Sequence, residues 1–210
     1  MKRLCSILAI VLAGVAMTAR PVDAGPVLAI TNVVDSGFTV NNTYGYSFTA
    51  LADLTATDLG IFDLNLGTLV IGDGLLEPHL VGLWKADGTL LSSVIVPPGG
   101  AGTLVGGFRY APIAPISLQS GETYVVAAHY ASGTIGDAYT LTGFATFTWD
   151  PLIAPVDGRR FDNGFGFPTV NLRDFFAGPN VIVTSAPEPG TLVLLGLGFA
   201  GAVSRRFRQR

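Results

Sequence analysis

The sequence predicts an all-β protein: one antiparallel β-sandwich flanked by an N-terminal signal helix and a short C-terminal apolar helix. Three observations point there. The chain is poor in helical surface, with 27 Gly, 13 Pro and only 13% charged residues among 210, a balance that favours turns and half-buried strands. Short β-branched or alternating runs recur between turn residues at 27–34, 44–50, 59–64, 79–85, 90–96, 104–110, 123–130, 145–149 and 181–184, and no helical periodicity interrupts them. The apolar runs at 4–16 and 191–203 sit beside basic residues at the two ends and supply much of the mean hydropathy of +0.51. The organisation that follows is a signal peptide over 1–24, a β-sandwich over 25–185 and a tail over 186–210.

Lys2 and Arg3 give the N-terminus a positive start, 13 apolar residues follow, and Val22-Asp23-Ala24 places small or tolerable residues before a cut after Ala24. That is the layout of a secretory signal peptide, which Sec export and signal peptidase would handle. A membrane-spanning anchor needs about 20 apolar residues, more than this run contains. The single cysteine, Cys5, precedes most of the apolar run, which argues against a lipoprotein and leaves the mature chain without thiol or disulfide.

At the C-terminus, Pro187-Glu188-Pro189 precedes the Gly-rich apolar run, and Arg205, Arg206, Arg208 and Arg210 close the chain. Thirteen helical residues reach about 20 Å, short of a hydrocarbon core of about 30 Å, so snorkelling arginines must cover the difference. Four arginines ending a buried core helix would place a charge cluster beside the core, whereas a stop on the cytoplasmic side fits the positive-inside rule. Gly196, Gly198 and Gly201 match a G-x-G-x-x-G pattern, but the chain ends nine residues later, before any βαβ unit could form. Close helix packing in the membrane is the better use of these glycines.

Motif, apolar run and arginines, in that order, resemble the PEP-CTERM sorting signal over about the last 25 residues. The resemblance implies recognition of Pro187, Glu188 and Pro189 by exosortase, a membrane-embedded cysteine transpeptidase-like enzyme. It further implies an inner-membrane intermediate, then release or attachment at the surface or matrix of a Gram-negative bacterium that makes extracellular polysaccharide.

Between the ends, Ala86-Asp87-Gly88-Thr89 reads as a tight hairpin, since Asp-Gly supplies the positive φ angles such turns use. Leu118-Gln119-Ser120-Gly121-Glu122-Thr123-Tyr124 resembles a tyrosine corner, the hydroxyl of which reaches nearby backbone in immunoglobulin-like and fibronectin-like sandwiches. An ordinary hairpin with a buried aromatic is the plainer reading, and both favour two packed antiparallel sheets. Residues 46–130 also resemble an uncharacterised all-β domain family of secreted bacterial proteins, through Leu59-Gly60-Ile61-Phe62-Asp63, His79 to Trp84 with Asp87 to Leu91, and Phe108-Arg109-Tyr110. The resemblance implies a fold and an envelope setting and fades from Asp150 onward, where Phe161 to Pro168 reads as a long aromatic loop.

Without its ends the domain has five basic residues against thirteen acidic ones, a net charge of −8, which repels phosphate backbones and argues against nucleic acid. No nucleophile elbow, phosphate loop or His-Glu-x-x-His is present. The two histidines, His79 and His129, have no cysteine and no close carboxylate partner with which to build a zinc shell, and read as strand residues. Asp58, Asp63, Asn65, Asp73 and Glu77 are candidate calcium ligands, since hard cations want oxygens, but their spacing lacks the EF-hand pattern and a solvated acidic rim is the plainer reading. Trp149, Phe161, Phe165, Phe167 and Tyr139 are candidate sugar-stacking rings that could equally fill a core. The expectation is a non-enzymatic exported surface or matrix protein that takes no cofactor and meets extracellular polysaccharide. The alternative is a carbohydrate-binding or adhesive module, supported by a shallow exposed patch of those rings and sunk by their burial. A cryptic hydrolase would require a polar cleft joining a histidine to a carboxylate.

Overall fold

The computed structural model describes residues 25–32, 41–64, 70–131, 136–137 and 139–185. The two flanking helices, Ala24, the Pro187-Glu188-Pro189 motif, the four arginines and Asn65 lie outside the described residues. Among the described residues there is no helix, so none is long and apolar enough to cross a membrane.

Two antiparallel sheets form the sandwich. The five-stranded sheet runs β1 (Gly25–Pro26), β15 (Pro179–Ser185), β4 (Leu54–Phe62), β8 (Phe108–Leu118) and β7 (Thr103–Val105). The six-stranded sheet runs β13 (Val170–Leu172), β12 (Ile153–Asp162), β3 (Asn42–Ala50), β9 (Thr123–Tyr130), β5 (His79–Lys85) and β6 (Leu90–Val96). Two small ribbons, β2 (Leu28–Thr31) with β11 (Thr146–Trp149) and β10 (Thr140–Leu141) with β14 (Phe176–Ala177), complete it.

The inner faces follow the period of two that strands impose. Tyr44, Tyr46 and Phe48 of β3 meet Tyr124, Val126, Ala128 and Tyr130 of β9, and all join one core with Leu59 and Ile61 of β4 and Val181 and Val183 of β15. This core is unusually aromatic, and its rings meet in tilted or edge-on pairs such as Tyr46 with Phe48 at 6.3 Å and Tyr46 with Trp149 at 5.0 Å, the geometry that ring quadrupoles favour.

One expected strand changes on folding, and one strand forms where none was expected, taking in Phe161 and Asp162 from the start of the expected aromatic loop. The run 104–110 is a hairpin, in which Gly106 and Gly107 take positive φ (57° and 84°) between β7 and β8. β8 continues to Leu118 through Pro112 and Pro115 because β7 pairs only as far as Tyr110. The later part of β8 is therefore a sheet edge, where a missing N–H is tolerated. β12 is a full ten-residue strand in the stretch where the sequence pattern fades. Pro155 sits at a bulge against β3, and the Gly158-Arg159-Arg160 run hides the alternation.

The β5–β6 hairpin forms as expected, with a narrower use of positive φ. Only Gly88 has it, at 91°. Its N–H donates to the Lys85 carbonyl at 3.0 Å, and the Asp87 side chain accepts the Thr89 N–H at 2.8 Å. This is a turn followed by a left-handed glycine at a bulge, one of the common longer hairpin loops.

The tyrosine corner is present. Tyr124 is buried at the start of β9, and its hydroxyl accepts the Gln119 N–H at 2.8 Å. Gly121 turns the chain with φ of 84°, and Ser120 N–H donates to Asp53 Oδ1 at 2.9 Å. Tyr124→Phe keeps the ring and strips the amide of its partner, so urea unfolding should show a loss of about 1–2 kcal/mol; an unchanged midpoint would deny the corner a structural role.

Candidate functional site

The side chains that could carry chemistry or binding gather in three places, two polar and one aromatic. His79 opens β5 with its ring turned inward, fully buried. Its Nδ1 lies 3.0 Å from the His129 carbonyl, which can only accept, so Nδ1 carries a hydrogen. Its Nε2 lies 2.9 Å from Asp137 Oδ2. The Asp137 carboxylate, also fully buried, accepts the Leu76 N–H on both oxygens at 2.9 Å and the Glu77 N–H on Oδ2 at 3.1 Å. Contrary to the expectation that neither histidine has a carboxylate partner, His79 has one 58 residues further on. The pair is closed off rather than set in a cleft: both ring nitrogens are occupied, and Tyr130 packs with its centroid 5.3 Å from the imidazole.

His129 points to the opposite face of β9, where its Nε2 meets Asn41 Oδ1 at 3.0 Å. Partial burial, then repulsion from His79, lowers its pKa from the ordinary value of 6.5. The sign follows from linkage: below about pH 6.5 the unfolded chain takes up a proton here that the folded one resists, so stability falls until the folded group also protonates. His129→Gln should therefore lose less stability than wild type between neutral pH and the acid end of that window, and equal losses in paired urea titrations would refute the assignment.

The second place is a buried ion pair. Arg109 Nε donates to Asp63 Oδ2 at 2.6 Å, and Gly74 N–H donates to Asp63 Oδ1 at 3.1 Å. The rest of the guanidinium donates to the carbonyls of Gly72 at 2.9 Å and of Gly100 and Gly102 at 3.2 Å. One arginine thus ties two Gly-rich loops to the end of β4, using the planar fork that suits it to such work. Of the candidate calcium ligands, Asp63 is held by this guanidinium, Asp58 is half-buried within β4 and Asp73 is exposed. The structure does not bring them into one shell, and among the described residues no three His, Cys, Asp or Glu side chains stand ready to hold a metal ion.

The third is the aromatic segment after β12. Residues 163–167 lie across the outer face of the six-stranded sheet, fastened by Thr43 Oγ1 donating to the Gly164 carbonyl at 2.6 Å. Phe165 and Phe167 cover Trp84, with centroids at 5.3 and 6.3 Å, and with Val125 and Ala127 they make a second small core. Thr43, on the outer face of β3, is buried beneath the segment, and Ser47 on the same face is buried with its hydroxyl on Asp157 of β12. The candidate sugar-stacking rings are therefore not one exposed patch. Phe165 and Phe167 are half-buried in this strap, Phe161 is half-buried on β12 beside Gly166, Trp149 packs between Tyr46 and Phe175 on the other side of the sheet, and Tyr139 is buried against Tyr44 and Tyr130.

Sequence reasoning missed both ion pairs. A trace existed for one: Arg109 lies between Phe108 and Tyr110, and Asp63 follows Ile61-Phe62, charges at apolar strand positions that are almost never buried unpaired. Asp137 carries no comparable local mark.

An antiparallel sandwich that encloses His79 with Asp137 and Arg109 with Asp63, followed at once by a Pro-Glu-Pro tail, defines a class: a β-domain cargo with a sorting signal. The family model of the domain of unknown function DUF4082 matches residues 34–176, and the chain belongs to that family. The match runs past Asp150, where the sequence resemblance fades, through β12 and β13. Residues 185–209 match the PEP-CTERM protein-sorting motif, so the protein is exported and directed to the cell surface or beyond by exosortase processing. No curated protein matches the chain.

Proposed function

We propose that this chain is a non-catalytic component of the cell surface or extracellular matrix of a Gram-negative bacterium. In this reading Sec delivers it, signal peptidase cuts after Ala24, exosortase acts at Pro187-Glu188-Pro189, and the β-sandwich serves outside as a structural or interaction unit beside extracellular polysaccharide. The observation that carries the reading is the joining of a sorting motif at residues 185–209 to a domain whose most reactive side chains, His79, Asp137, Asp63 and Arg109, are hydrogen-bonded inside it. A histidine with both nitrogens engaged and no solvent contact lacks the access a general base needs. No cofactor belongs to this reading, because the two fully buried carboxylates, Asp63 and Asp137, are already engaged by Arg109 and His79.

The test is the intact mass of the protein recovered from its native host, wild type against Glu188→Ala. The wild-type chain should begin near Gly25, end near Pro187 and appear in the surface or matrix fraction, while Glu188→Ala keeps its tail and stays with the inner membrane. A wild-type chain still ending at Arg210 would remove the sorting step from this account.

A further inference from the structure

We propose that the end of the sandwich holding the tyrosine corner is the face that docks on exosortase while the tail is removed. The proposal rests on the sorting reading and adds a surface to it. β15 ends at Ser185, paired with Leu54, which pairs in turn with Leu118. Three turns are lashed together at this end: Gly121 N–H donates to the Ala50 carbonyl at 2.8 Å, Ala50 N–H to Glu122 at 3.0 Å and Leu51 N–H to Leu152 at 2.8 Å.

The sorting match begins at residue 185, the last residue of that strand. No spacer intervenes. Glu188 is three residues beyond Ser185, and three extended residues span at most about 11 Å, close to the spacing of two packed sheets. Among the described residues Thr184 and Ser185 pair with β4, as Gly25 of β1 faces Val183, and fraying those two residues would add about 7 Å. Any groove that accepts Glu188 must therefore lie against this end of the domain.

A second observation agrees. Gly25 pairs with Val183, so the chain following the predicted signal cut enters the sandwich at the end from which the tail leaves. Both membrane-directed segments join the domain on one side. The surface there offers Leu51, 54% exposed, and exposed Pro151, rimmed by Asp53, Glu122 and Asp150. Even with Lys85 beside Glu122 the three carboxylates leave this rim net negative, and anionic lipid headgroups repel it, so the fitting occupant is the enzyme's extracytoplasmic rim rather than the bilayer.

The experiment places a photocrosslinking residue at Leu51 or at Leu104 in the full chain, in the native host carrying epitope-tagged exosortase. Leu104 is exposed on β7 opposite Arg109, nine residues of β8 from Leu118 and so roughly 30 Å from the corner. Adducts with the tagged enzyme from Leu51 should exceed those from Leu104 by roughly tenfold or more, because a short tether concentrates only the near face. Equal adducts from the two positions, lipid adducts alone from Leu51, or none from Leu51 while the tail is still removed would each overturn the docking face and leave sorting intact. Retention of the tail by the unsubstituted chain would instead overturn sorting itself, and the docking face with it.

Discussion

Asp137→Ala is expected to destabilise the sandwich by about 3–5 kcal/mol, a large share of the 5–15 kcal/mol typical of a folded domain. The reason is the number of groups that lose a partner together. Asp137 receives the His79 ring at 2.9 Å and the amides of Leu76 and Glu77, and with the carboxylate gone, His79 remains fully buried against an empty polar site. A buried ionisable group stripped of its partner is the costly case. Asp137→Asn retains the shape and one acceptor oxygen, so its loss should be smaller. Urea unfolding followed by tryptophan fluorescence measures both. If Asp137→Ala came within about 1 kcal/mol of wild type, water would have to reach His79, and the enclosed pair described above would be wrong.

Asp63→Ala should cost about the same, 3–5 kcal/mol, by leaving the Arg109 guanidinium buried among the carbonyls of Gly72, Gly100 and Gly102 with no anion beside it. The double replacement Asp63→Leu with Arg109→Met tests the mechanism. No lone charge remains in it, so it should be less damaging than Asp63→Ala alone, as buried pairs exchanged whole for apolar groups often are. Loops that move independently of Arg109 would give additive effects in the corresponding double-mutant cycle, and that additivity would deny the arginine its tying role.

These two pairs also show where sequence reading stops. The Tyr124 corner and the Asp87-Gly88 hairpin were legible because each is a local device: Tyr124 reaches Gln119, five residues back, and Asp87 reaches Thr89. β8 and β12 were obscured because their prolines and arginines imitate loop composition, and only the absence of a neighbour along part of β8 and a bulge in β12 makes them acceptable as strands. The strap over Trp84 was legible as an aromatic loop but not as a lid, because nothing in Phe165-Gly166-Phe167 says which face of which sheet it will cover.

What the sequence by itself determined is the all-β class and the sorting motif at the tail, since alternation and a contiguous signal are both properties of neighbouring residues. Only the tertiary structure decided that His79 would find Asp137 across 58 residues and Arg109 would find Asp63 across 46, that Trp84 would be roofed rather than exposed, and that the tail would leave beside the tyrosine corner. Those outcomes depend on strand order and register, which set the distance between residues far apart in the chain and which no local pattern encodes.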